Sequence, residues 1–143
     1  MKTRFADLLK VKKQKLDEVE RQLLDVQNRK KRLTYEIVQV DHDIAILELP
    51  KSGDFGLMQA SREGFLALVF EKELLVEKLA LREQQIVGLK SLYKEVSIEY
   101  EKIAYLDNEE IQKEIKRLKI EEAKDLDEIA NILFVNKKEK VNV

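Results

Sequence analysis

"LPKSGDFG", residues 49–56, holds the only proline of the chain and two of its four glycines. Ser52 and Asp54 flank those breakers and are available as helix caps. Elsewhere helix-breaking chemistry is nearly absent. Gly64 and Gly88 are isolated, each costing a helix only about 1 kcal/mol against alanine, and beyond Leu89 there is neither glycine nor proline. The reading outward from this stretch is a helix over about 4–49, a turn at about 50–56, a second helix over about 57–136 and a basic tail, 137–143.

Periodicity supports this division. In the first helix Phe5, Leu9, Lys12, Leu16, Val19, Leu23, Val26, Lys30, Leu33, Ile37, Val40, Ile44 and Leu47 step by alternating fours and threes. The second repeats the pattern through Met58, Ser61, Phe65, Leu68, Lys72, Leu75, Leu79, Arg82, Ile86, Leu89, Tyr93, Val96, Tyr100 and Ile103. That spacing is the 3.5-residue period of a left-handed coiled coil. Folding at the turn sets Val40 opposite Leu68, Lys30 opposite Leu79, Lys12 opposite Val96 and Phe5 opposite Ile103. Each basic intruder then meets an apolar residue, its stem packing while its head reaches acids such as Glu95, Glu77 and Asp25. The fold class is therefore all-α: a long antiparallel two-helix coiled-coil hairpin in one domain, 1–143. The same seams could pair between chains, but a short turn favours antiparallel neighbours within one.

This register leaves a protruding C-terminal helix. The first helix runs out near Ile103, where Ile103, Asp107, Ile111 and Ile115 begin to step by fours. Beyond it Ile111, Ile115, Leu118, Leu126, Ile129, Leu133 and Phe134 form an apolar stripe with no surface to lie on. One alternative is a third helix folding back from "LDNEEI", with Asp107 as cap and Glu110 completing a capping box. A continuous helix instead exposes the stripe as a partner-binding patch, in the helix-in-groove mode.

Composition narrows the function classes. Charged residues make up 38%, cysteine is absent and the formal net charge is −1. Disulfides, thiolate chemistry and cysteine zinc sites are thereby excluded. No global charge draws the chain to nucleic acid or acidic lipid. "MKTRFADLLK" lacks the apolar core of a signal peptide, and no stretch reaches the roughly 18 apolar residues that span a bilayer. The expectation is a cytoplasmic chain.

Motifs for catalysis are missing too: there is no phosphate loop, no Ser-His-Asp constellation and no cysteine nucleophile. His42, the sole histidine, lies in "DHD", whose three side chains splay around a helix by about 200° and cannot converge on a metal. Acidic runs such as "DNEE" read as solvated faces, because a catalytic pair needs a desolvated pocket. "NRKKR", residues 28–32, reads as coiled-coil flanking charge and not as a nucleic-acid patch. Catalytic, cofactor-binding and metal-binding residues are accordingly none. Charge does segregate: residues 1–33 carry eleven Lys or Arg against five acids, and residues 101–130 carry six against ten. A hairpin brings these two stretches together.

"RFADLLKVKKQKLDEVERQLLDVQNRKKRL" resembles the opening of the FliJ family of flagellar type III export proteins, and "AKDLDEIANILFVNKKEK" resembles its closing segment. Length and turn position agree over essentially the whole chain. The resemblance implies a two-helix coiled coil similar to the γ subunit of the F-type ATPase, held in the centre of a hexameric export ATPase and promoting its assembly. It further implies contact with the export-gate membrane protein, escort of substrate-specific export chaperones, and a place at the cytoplasmic face of the inner membrane. The related injectisome proteins of the YscO type share this architecture. A monomer in isolation is expected on this reading. The alternative is a scaffold coiled coil that self-associates through the overhang.

Overall fold

The computed structural model describes residues 2–47 and 53–141. Two helices, α1 over Ala6–Ile46 and α2 over Phe55–Val141, pack against each other, and no strand occurs among the described residues. The expected all-α hairpin is the observed fold. Most of the expected turn lies outside the described residues.

Helix ends follow local chemistry. Thr3 caps α1: its carbonyl accepts the Ala6 amide at 3.2 Å and its hydroxyl oxygen accepts the Phe5 amide at 3.2 Å. The other end of α1 stops at Ile46, short of the expected residue 49. No basic side chain sits in its last turn, and Asp43 there opposes the helix dipole. Gly53 adopts φ 144°, a conformation open to glycine and costly for any other residue. α2 starts two residues beyond it. At the far end the expected basic tail is helical through Val141, since no breaker interrupts it and Lys137 and Lys138 complement the C-terminal dipole.

Contacts divide the chain into two units. The first is Gln14–Ser97. Its core consists of Leu16, Val19, Val40, Leu75, Ile86 and Val96, the only buried side chains among the described residues, and Val19 is the one fully enclosed. All lie on the two predicted seams. Seam lysines reach outward as expected, but to other acids: Lys30 Nζ lies 3.8 Å from Glu83 and Lys72 Nζ 2.6 Å from Asp41. Side chains on a helix lean toward its N-terminus. In an antiparallel pair that lean carries a lysine past the core residue facing it, to a carboxylate three or four positions further along the partner.

The second unit joins the start of α1 to the rest of α2. None of its described residues is buried, but the predicted seam residues Phe5, Leu9, Tyr100 and Ile103 are half-buried. Of all seam positions in the chain only Leu47 and Met58, beside the turn, are exposed. Lys12 Nζ donates to Glu99 Oε2 at 2.9 Å, and Lys13 lies over the Tyr100 ring. The hydrogen bond and then the charge of Lys12 hold the Glu99 carboxyl below its ordinary 4.5. Because the folded value lies below the unfolded one, this pair stabilises the fold above pH 4.5 and stops doing so as the pH falls through the depressed value. Lys12→Met should therefore flatten the acid limb of a plot of melting temperature against pH. Parallel wild-type and mutant curves below pH 4.5 would show that the pair is energetically idle.

Candidate docking surface

The N-terminal residues fasten themselves to α2 with polar contacts. The Thr3 hydroxyl donates to Asp107 Oδ1, and Arg4 Nε lies 2.6 Å from Glu110 Oε1. The Arg4 guanidinium also stacks over Phe5, 4.9 Å from the ring centre. Asp107 is thus an interior residue of a continuous helix, held from across the hairpin, and does not cap a third helix. This is where acidic α2 meets basic α1, as the charge segregation requires.

These contacts move the border of the overhang. Cover by the hairpin was expected to end near Ile103, yet Asp107, Glu110, Ile111, Glu114 and Ile115 are all half-buried. Thr3 and Arg4 lie before α1 begins and extend the cover beyond the last seam residue. Every described side chain from Lys116 to Glu139 is exposed. So the predicted stripe splits: Ile111 and Ile115 are half-covered, while Leu118, Leu126, Ile129, Leu133 and Phe134 are 45–66% exposed.

At 3.6 residues per turn, Ile111, Ile115, Leu118, Leu126, Ile129 and Leu133 fall within an arc of about 80°. Phe134 is turned about 100° from Leu133 and lies off that arc, nearer the face of Ile120. Spacing has changed as well. Ile111, Ile115 and Leu118 recur eleven positions on as Glu122, Leu126 and Ile129, followed by Leu133. An eleven-residue repeat has a period near 3.67 and lacks the left-handed winding of a heptad seam. The stripe therefore runs nearly straight along the helix once it leaves the hairpin.

One edge of the stripe is acidic, with Glu114, Glu121, Asp125 and Glu128 along it. Arg117 bridges two of these: its Nη1 lies 2.6 Å from Glu121, and its Nε donates to Glu114 Oε2 at 3.1 Å. The hydrogen bond from Arg117 holds the Glu114 carboxyl below its usual range, and both carboxylates raise the guanidinium further still.

The other stretches singled out in the sequence lie on the helix surfaces. His42 is exposed, and its neighbour Asp41 serves Lys72. Within "NRKKR", Arg29 pairs with Asp25 and Lys30 with Glu83. No group of three or more acids and histidines is placed to hold a metal among the described residues, and no described helix is long and apolar enough to cross a membrane. Sequence reasoning missed Ile132, exposed beside the stripe and three positions after Ile129, a step that periodicity could have supplied. It also passed over Phe55, Leu57 and Phe70, exposed apolar residues early in α2.

Fold and surface together define a helical-hairpin protein whose second helix carries an unpartnered amphipathic extension. The chain belongs to the FliJ family: the family model described as flagellar FliJ protein matches residues 1–139. It is thus a flagellar, export-related protein. Neither the curated proteins nor the solved structures compared with it give a match.

Proposed function

We propose that this chain is a non-catalytic stalk of the flagellar type III export apparatus. It works at the cytoplasmic face of the inner membrane, and its extension docks in the centre of the hexameric export ATPase and promotes assembly of the ring. The hairpin links that ring to the export gate and to substrate chaperones. The observation that carries the docking step is the apolar stripe, which leaves the shelter of the hairpin at Ile115 and continues exposed to Leu133. An exposed apolar helix face of this length marks an interaction site, and one helix presented to a groove is a recurrent mode of recognition. Family membership supplies the machine in which the partner is sought.

Adding this protein stoichiometrically to the purified export ATPase is the direct test. The expected result is a larger hexamer fraction and a higher hydrolysis rate. An ATPase whose assembly and rate are indifferent to the addition overturns the docking reading. A stable dimer of this chain, formed through the stripe, would support the scaffold in its place.

A further inference from the structure

The exposed stripe has a centre of symmetry, and a carboxylate occupies it. Leu118 and Leu126 stand four positions either side of Glu122, Ile115 and Ile129 seven, and Ile111 and Leu133 eleven. Glu122 lies at the middle of the apolar arc and is exposed. Two copies of the extension could match every anchor in two ways, parallel in register or antiparallel about this centre. Both arrangements set Glu122 against Glu122, and like charges in a dry seam are strongly disfavoured. Antiparallel pairing would also bring the acidic edge of Glu121, Asp125 and Glu128 against its own copy. Self-association through the stripe, the arrangement its apolar pattern would otherwise favour, is thereby blocked.

A foreign partner faces the same carboxylate with a different remedy. Burying the anchors on either side of Glu122 also desolvates Glu122, which then needs a donor or an opposite charge. We infer that Glu122 is a selectivity residue, which rejects a second copy of this chain and admits a partner whose apolar groove presents a lysine or arginine opposite the middle of the stripe. The acidic edge gives that groove its handedness, with further basic residues along one rim only. This partner chemistry rests on the stalk reading; the barrier to self-association stands apart from it.

Full-length Glu122→Leu and Glu122→Gln test both halves. By sedimentation the wild type should be monomeric at about 100 μM, while Glu122→Leu should dimerise at least about tenfold more tightly than wild type. Binding to the purified export ATPase is measured below the concentration at which the leucine variant dimerises. There Glu122→Leu should bind about tenfold or more weakly than wild type, because a groove cation is left unpaired, and Glu122→Gln should fall between. A merely apolar groove would bind the leucine variant more tightly, and that result overturns the inference. So does a leucine variant that stays monomeric, or a wild-type dimer that Leu118→Asp dissolves. If the wild type fails to bind the ATPase, the stalk reading and the cation in its groove fall together, and sedimentation alone decides the barrier.

Discussion

Val19→Asp should destroy the cooperative unfolding of this hairpin. Val19 is 1% exposed, the one side chain fully enclosed between the helices among the described residues. A carboxylate there must be desolvated without a partner or remain protonated, and either state costs several kcal/mol. Losses above about 4 kcal/mol are rare for single substitutions and arise from such buried charges. A domain of this size has only about 5–15 kcal/mol in total. The measurement is thermal unfolding followed by circular dichroism, with Val11→Asp as the control. Val11 lies on the outer face of the same helix at 58% exposure, and its replacement should cost no more than about 0.5 kcal/mol. Equal melting temperatures for the two variants would refute the assignment of the core to this seam.

The double variant Leu118→Asp, Ile129→Asp should do the reverse, sparing stability and abolishing binding. Both residues are about half exposed and belong to the uncovered stretch of α2. Melting should shift by no more than about 0.5 kcal/mol for each. Central apolar anchors of a helix-in-groove interface are each worth about 2 kcal/mol when truncated, and a charge in their place adds desolvation. Two such losses amount to about a thousandfold in Kd for the export ATPase. Ile115 is unsuited to this test, because it is half-buried and its loss would mix folding with docking. A variant that binds at wild-type strength would place the interface elsewhere, with the exposed Phe55, Leu57 and Phe70 as the next surface to probe.

Legibility of this fold in its sequence has a physical limit that particular residues show. The seams were readable because a 3.5 period sustained over so many turns seldom arises by chance, and Leu16, Val19, Val40, Leu75, Ile86 and Val96 lie on them. Partner choice for Lys30 and Lys72 was not, because it depends on the lean of side chains along an antiparallel pair and not on spacing. Thr3 and Arg4 escaped notice for another reason. They reach α2 from outside the helix, through one hydroxyl and one guanidinium, and such contacts leave no period. That is why cover was expected to end near Ile103, whereas Thr3 and Arg4 reach on to Asp107 and Glu110. The helical state of 137–141 was missed by giving weight to composition, where the absence of any breaker after Leu89 was the better guide. For the candidate stripe, the apolar positions from Ile111 to Leu133 were legible from their spacing, and the odd position of Phe134 followed only from angle.

The hydroxyl of Thr3 and the carboxylate of Asp107 are 104 residues apart along the chain, although they touch in space. In a hairpin every crossing contact is separated by more chain than the one before it, counting from the turn. Closure entropy rises with that separation, so formation should spread like a zip from the tip, with the Thr3 latch among the last teeth to engage. The same order makes the latch the first part to open. A protein that grips the extension would thus find the adjoining N-terminal residues the easiest to peel aside.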